Sequence, residues 1–376
     1  MSAAAILGIV ALAVWLGLIL ARGRFFVPRL PAAAPAPAHW PAIVAVVPAR
    51  DEAAVIARAV GSLLAQDYPG DFSIVLVDDH SGDGTAEIAR GLAGADAKLR
   101  IVAAPPLPHG WTGKLWAMNR GVEEAGEAAL ILFTDADIAH HPANLRQLAA
   151  RLEHERRDLV SLMVRLHCDS LAERLLIPAF VFFFAMLYPF AWVADPRRRT
   201  AAAAGGCMLI RRAALDRIGG VAAIKSALID DCALARAVKD SGGAIRLDLT
   251  RLTTSIRPYP RLADIWNMIA RSAYTQLRYS PALLAGTVAF MALVYVVPPL
   301  LLAVGGTAAW LGAAAWLAMS LAYLPMALFY GLSPLWAVAL PLTALIYLGA
   351  TIASAWRHFR GRGGAWKGRV EWRNAR

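Results

Sequence analysis

The chain has 376 residues, 58% of them hydrophobic and 17% charged, with a mean hydropathy of +0.50 and a formal net charge of +11. That composition excludes an ordinary soluble domain standing alone and calls for membrane segments joined to a globular part. Cys168, Cys207 and Cys232 are too far apart for a metal-binding or disulfide framework, and no recognition motif accompanies the basic excess, so no nucleic-acid partner is expected.

Ala3 to Ala21 is long and apolar enough to span a bilayer, and Arg22 and Arg24 follow it. It has neither a charged n-region nor a small-residue cleavage site, so residues 1–24 read as an uncleaved anchor with the next domain on the cytoplasmic face of an inner membrane. Pro31 to Ala38 gives a Pro/Ala spacer within a linker over 25–40.

From Pro41 onward, strand and helix signals alternate, which predicts an α/β domain with a mostly parallel sheet. Ile43 to Val47 reads as a strand ending in Pro48-Ala49-Arg50-Asp51-Glu52. A helix follows, with Val55, Ile56, Ala59, Val60 and Leu63 at helical spacing. A second strand, Phe72 to Val77, ends in an acidic, glycine-rich loop, and Thr85 there suits a helix N-cap. After the strand Leu99 to Val102, a Pro-rich loop reaches Gly110-Trp111-Thr112-Gly113-Lys114 and opens another helix. Lys114 is either a phosphate contact at that helix start or a solvated surface lysine.

The apolar run Ala128 to Phe133 reads as a buried parallel strand, with Asp135 and Asp137 at its carboxyl edge, where open α/β sheets bind ligands. Alternation would turn both carboxylates to one side, where they could share a hard cation such as Mg²⁺ or Mn²⁺ and through it a diphosphate. The competing reading is an Asx turn or a helix cap.

Leu175 to Ala194, followed by Pro196-Arg197-Arg198-Arg199, has the length of a transmembrane helix. One crossing there would put the acidic pair Asp230-Asp231 on the opposite side of the membrane from Asp137. If both serve one site, residues 171–199 form a membrane-interface insertion, broken near Pro178 and Pro189; a buried core helix is the alternative.

In this order, Pro48-Ala-Arg-Asp-Glu52, the loop Val77 to Thr85, Thr112-Gly-Lys114 with Asn119 and Gly121, Asp135-Ala-Asp137, Gly205-Gly206 and Ile229-Asp230-Asp231 resemble the motifs of family 2 glycosyltransferases over about residues 41–280. The membrane segments at both ends look like the lipid-modifying branch. Hopanoid-biosynthesis-associated glycosyltransferases are the nearest likeness, with ceramide glucosyltransferases and carotenoid glycosyltransferases further off.

The resemblance implies a nucleotide-sugar-binding, Rossmann-like (GT-A type) fold and an inverting transfer. Pro48, Glu52, Asp79, Lys114 and Asp135 would then hold the nucleotide sugar, with Asp79 at the base. Asp135 and Asp137 would hold Mg²⁺ or Mn²⁺, and Asp231 would be the catalytic base. Gly205, Gly206, Asp230, Gln276 and Arg278 would serve the acceptor or the diphosphate. Asp230 and Asp231 also open a helical pattern, so simple helix capping is the competing reading; a helix start would in any case favour a charged carboxylate. One departure is plain: the family's Gln-x-x-Arg-Trp is replaced by Gln276-Leu277-Arg278-Tyr279, one residue short and with Tyr for Trp.

Residues 261–280 mix Leu262, Ile265, Trp266 and Ile269 with Arg271 and Arg278, as an interfacial amphipathic helix would. Apolar segments near 283–304, 308–330 and 334–356 make up a membrane region over 281–356. The basic tail, 357–376, should be cytoplasmic. Three full crossings from a cytoplasmic domain would leave that tail outside, so one segment is re-entrant or miscounted, and the sequence does not say which. The catalytic domain as a whole is taken as 41–260.

The leading expectation is therefore a multi-pass enzyme of the plasma membrane that moves a sugar from a UDP-type donor to a lipid, a hopanoid being one candidate. A processive polysaccharide synthase is a second enzyme reading. A non-catalytic membrane scaffold with a degenerate transferase domain is a third.

Overall fold

The computed structural model describes residues 1–93, 97–361, 365–366 and 369–370. The expected tail beyond Gly361 lies, apart from two short strand pieces, outside the described residues. In chain order the first elements are α1 (Ala3–Ala21), β1 (Ile43–Ala49), α2 (Ile56–Leu64), β2 (Phe72–Asp78), α3 (Thr85–Ala93), β3 (Leu99–Ala103) and α4 (Gly113–Glu123). Next come β4 (Leu130–Phe133), β5 (Ile138–His140), α5 (Asn144–His154), β6 (Leu159–Arg165), α6 (Leu171–Leu187) and α7 (Phe190–Ala194). Then follow β7 (Met208–Arg211), α8 (Arg212–Arg217), α9 (Asp230–Asp240), β8 (Ile245–Ser255), α10 (Leu262–Gln276) and α11 (Pro281–Met291). The last helices are α12 (Val297–Leu301), α13 (Gly306–Phe329) and α14 (Leu340–Phe359), before the two-residue strands β9 (Ala365–Trp366) and β10 (Arg369–Val370).

Two compact units emerge. Among the described residues, one comprises 29–167, 192–258 and the strand pieces from Ala365 onward; the other comprises 1–28, 168–191 and 259–361.

The first unit is built on an eight-stranded sheet of order β3-β2-β1-β4-β7-β6-β8-β5. The β3-β2-β1-β4 half is parallel. β7 then runs antiparallel to both β4 and β6, β6 and β8 are parallel, and β5 closes the edge antiparallel to β8. The expected mostly parallel sheet is thus found on one half, with a mixed second half. Every residue of β1 is buried, as a central strand covered on both faces requires. Chain order reverses on either side of β1, between β2 and β4, which places the loops after β1, β2 and β4 at the switch point of the carboxyl edge. α4 lies against β1 so closely that a Cβ on Gly121 would overlap Val46, and this contact fixes the start of α4 over the same edge.

Among the described residues, four helical stretches, all in the second unit, are long and apolar enough to cross a membrane: Ala3–Ala21, Pro281–Leu301, Gly306–Phe329 and Pro334–Phe359. α6 joins this unit. It starts in a capping box, where Ser170 Oγ accepts from Glu173 N at 3.2 Å and Ser170 N donates to Glu173 Oε2 at 2.8 Å. Of the two expected breaks, the one at Pro189 is found, between α6 and α7, whereas α6 runs unbroken through Pro178. A π-turn, Ala292–Val296, joins α11 to α12.

Candidate active site

Two loops at the carboxyl edge, after β1 and after β2, are laced together by short polar side chains. Asp51, at the end of β1, adopts φ 51° and His80, after β2, adopts φ 56°. Both lie in the left-handed region that Asp and His tolerate better than most residues. Asp51 N donates to Ser81 Oγ at 3.0 Å, Gly82 N to Asp51 Oδ1 at 2.9 Å, and Ala53 N to Asp83 Oδ2 at 2.9 Å. Asp83 also accepts from Thr85 N and Thr85 Oγ1. The expected N-cap, Thr85, is therefore itself capped by Asp83, and its hydroxyl accepts from Glu52 N at 2.8 Å.

Pro48 is buried inside β1, paired in register with Val77. Asp79 is 2% exposed. The Arg50 guanidinium donates to its carbonyl at 2.6 Å and approaches its carboxylate at 3.4 Å, and His80 Nδ1 lies 3.2 Å from its other oxygen.

β4 ends at Phe133, short of both aspartates, and the chain turns at once into β5. Asp135 and Asp137 consequently sit on a turn, and each meets a different cation. Lys114 Nζ lies 2.8 Å from Asp135 Oδ1 and 2.9 Å from Asp230 Oδ2. Arg257 Nε lies 2.7 Å from Asp137 Oδ2, and the same guanidinium pairs with Glu52. Arg257 arrives there because β8 pairs with β5 through Ile138 and Ser255, and Ile256 N donates to Asp137 O at 2.9 Å.

A buried relay supports this turn. Asn144 Nδ2 lies 3.1 Å from His140 Nδ1, His140 Nε2 lies 2.9 Å from Thr134 Oγ1, and Thr134 donates to Gly206 O at 2.8 Å. Burial pushes His140 down to about 4, so the relay works with a neutral ring.

Gly205 and Gly206 precede β7. Gly205 N donates to Asp231 Oδ2 at 2.9 Å, and a Cβ on Gly205 would stand 3.3 Å from Lys114 Nζ. Asp231 Oδ1 also accepts from Cys232 N at 2.7 Å. The N-cap of α9 is Ile229, so neither aspartate occupies the N-cap position.

Burial pushes the Asp231 carboxyl up to about 6. Asp230 adds to this, while Lys114 and the two backbone N–H groups oppose it. Burial therefore outweighs the helix start that would have favoured its charge. Asp135 is raised as well, by burial first and by Asp137 and Asp230 after it, against the pull of Lys114. For Lys114, burial acts downward, but Asp135 and Asp230 more than offset it and the ammonium is held charged. Arg257 follows the same pattern with Asp137 and Glu52.

Glu52, Lys114, Asp135, Asp137, Gly205, Asp230 and Asp231, drawn from segments far apart in sequence, are thus brought into one linked cluster. The sequence profile of glycosyl transferase family 2 matches residues 44–219. The chain carries a family 2 glycosyltransferase domain.

A stretch of 121 residues, 32% of the chain, is 29% identical to the glycosyltransferase AglE of Haloferax volcanii. It covers 38% of that protein, so the chain spans well under half of the curated relative it matches. The mannosyltransferase PcManGT from Pyrobaculum calidifontis, solved with GDP-Man and Mn²⁺, superimposes over 95% of this chain and 99% of its own. The TM-score is 0.57 at 20% identity, a likeness of fold. The α/β unit is GT-A-like.

The compact α/β unit extends past the profile and includes Asp230, Asp231 and Arg257. Gln276 and Arg278 belong to the helical unit. There Gln276 Oε1 accepts from Tyr188 OH at 2.8 Å, and Arg278 takes a left-handed φ of 51° just after α10.

Two residues of the cluster escaped the sequence reading. Arg50 stands inside a quoted motif without a role. Arg257 carries no local signal at all, because its place depends on the β5–β8 pairing.

Among the described residues no group of three or more His, Cys, Asp or Glu forms a metal cluster. Asp135 and Asp137 nevertheless fit a hard cation. Each keeps a second carboxylate oxygen outside its ion pair, and two carboxylates completed by substrate phosphates is a common way to hold Mg²⁺.

Proposed function

We propose that this protein transfers a sugar from a nucleoside diphosphate donor, with a UDP-sugar as the first to test, to the hydroxyl of a membrane lipid, with inversion at the anomeric carbon. One observation carries the reading: Lys114 bridges Asp135, after β4, and Asp230, beside Asp231, so the donor-side and acceptor-side carboxylates share one cation. Glu52 and Asp79 serve the nucleotide, and Asp79, braced by Arg50, is the partner for a base N–H. Asp135 and Asp137 would hold Mg²⁺ or Mn²⁺, which when bound would offset charge building on the leaving diphosphate. Lys114 and Arg257 bring fixed positive charge to the same place.

Asp231 takes the proton from the acceptor hydroxyl as the oxygen attacks the anomeric carbon. The bond from that carbon to the diphosphate breaks, and the nucleoside diphosphate leaves with the electron pair. Two backbone N–H groups aim the carboxylate, and a group titrating near 6 is a base at neutral pH that can still accept a proton.

Four apolar helices support a lipid acceptor and a plasma-membrane setting, with the domain on the cytoplasmic face. A hopanoid is one acceptor to include. The experiment is full-length protein with radiolabelled UDP- and GDP-sugars, Mn²⁺ and extracted lipids. Label in the lipid phase is the expected result. Label in an insoluble polymer would favour a processive synthase, and absence of turnover across the panel would remove the enzymatic reading.

A further inference from the structure

Contacts inside the helical unit fix which ends of its apolar helices lie together. α11 begins right after Tyr279, whose ring stacks on His358 at 4.4 Å, and Tyr274 packs on His358 and Phe359 at 5.4 and 5.8 Å. The last turn of α14 therefore lies beside the first turn of α11. At the other end, a Cβ on Gly312 would meet Pro298 O at 2.5 Å and the Leu301 side chain. One on Gly8 would meet Leu311 and Leu301. The end of α12, the start of α13 and the first half of α1 lie together there. α13 then heads back: Tyr323 packs on Phe182, and Phe182 on Phe25, just beyond the end of α1.

The path of the fourth apolar stretch follows from the same kind of contact. Trp316 Nε1 donates to Val338 O at 3.0 Å, so the 3₁₀ turn Pro334–Ala339 has folded back beside the middle of α13. From there α14 descends. Thr343 Oγ1 donates to Leu175 O at 3.2 Å, Tyr347 OH to Leu176 O at 2.9 Å, and Tyr274 N to Ser354 Oγ at 3.0 Å. It finishes at Tyr279, where α11 began. A stretch that crossed a bilayer would finish at the opposite end of the unit.

We propose that α1, α11–α12 and α13 cross the membrane, whereas Pro334–Phe359 enters and leaves on one side and meets the acyl chains of that leaflet alone. Its outer face offers Leu342, Leu345, Ile352 and Trp356, all exposed. Apolar length makes lipid the occupant of that face. The Arg360 guanidinium lies 4.4 Å over the Trp356 ring, an aromatic–cation pair of the kind that sits at headgroup level.

Charge supports the count. Three crossings put the Arg22/Arg24 flank and the Arg357/Arg360 end on one side, as a Lys/Arg bias requires. The turn at the far end, residues 302–305, carries no charge. Four crossings would split the two basic flanks across the membrane. This inference rests on the helical unit and stands independently of the transferase reading.

The test places single cysteines in a cysteine-free, full-length chain at Val304, Ser333 and Arg360. Each is probed with a membrane-impermeant maleimide in sealed right-side-out and inside-out vesicles. Ser333→Cys and Arg360→Cys should label from one face and Val304→Cys from the other. Val304 and Arg360 sharing a face, with Ser333 opposite, would show a fourth crossing and overturn the proposal. Equal labelling of all three in both vesicle orientations would overturn it too. Leu302→Cys and Leu332→Cys stand in where a first variant does not accumulate.

Discussion

Asp230 and Asp231 are adjacent in sequence but answer to different partners: Asp230 to Lys114, and Asp231 to the backbone N–H groups of Gly205 and Cys232. Asp231→Asn keeps the shape and removes the basicity. Turnover should fall by on the order of 10²- to 10⁴-fold, with donor affinity little changed. Asp230→Asn loosens Lys114 and should keep measurable turnover; exchanged phenotypes would put the base one residue earlier. The pH dependence has a definite sign. With Asp231 as the proposed base, needed deprotonated and pushed up to about 6, kcat/KM should be level above that pH and fall about tenfold per unit below it. An acid limb that survived in Asp231→Asn would belong to another group. On the donor side, Asp137→Ala should abolish the Mn²⁺ dependence of UDP or GDP binding, measured by calorimetry with and without chelator. Chelator-insensitive binding by the unaltered protein would remove the metal from the reading.

The elements divide sharply between what the sequence discloses and what only packing decides. β1, β2 and β4 are legible because central parallel strands are apolar runs, and the loops that end them hold the acidic motifs. Strand alternation does not set the facing of Asp135 and Asp137, because β4 does not continue through both. The strand stops at Phe133 and the turn into β5 sends them to Lys114 and Arg257. Pro178 and Pro189 both read as helix breaks, and only Pro189 is one. Pro178 removes the backbone donor that would face Arg174 O, and the next two carbonyls, of Leu175 and Leu176, accept from Thr343 and Tyr347. Polar partners on a neighbouring helix are how prolines are tolerated in apolar helices. Two glycines test element placement. Gly121→Ala drives a Cβ into Val46 at the α4–β1 contact and should cost about 1–3 kcal/mol in stability, read from the unfolding midpoint. Gly205→Ala brings its Cβ to 3.3 Å from the movable tip of Lys114. It should leave that midpoint nearly unchanged while lowering turnover. A Gly121→Ala protein as stable as the parent would mean that α4 is not held where Lys114 needs it.

At the scale of the molecule, composition and the apolar segments are compatible with membrane association, but segment length counts crossings without regard to where helices return. The fate of α1 shows the same limit. Its sequence is apolar throughout and gives no preferred side, so it reads equally well as a loose anchor. In the structure Trp15 is fully buried, its Nε1 donates to Val294 O at 3.0 Å, and its ring meets Tyr295 edge-on at 5.4 Å. The indole N–H satisfies a carbonyl in the π-turn between α11 and α12, a place where regular helix bonding is shifted. α1 is thereby built into the helical unit and should remain in the mature protein. Trp15→Ala would leave a cavity among α1, α11 and α12 and release that carbonyl, a loss on the order of 3 kcal/mol for a buried aromatic. Trp310, 80% exposed on α13, provides the matched control, because Trp310→Ala removes the same side chain without a cavity. Thermal unfolding of the two full-length variants in one detergent should show a large drop for Trp15→Ala and almost none for Trp310→Ala. Equal small drops would make α1 a detachable tether, and an intact mass lacking its residues would show it to be a cleaved leader.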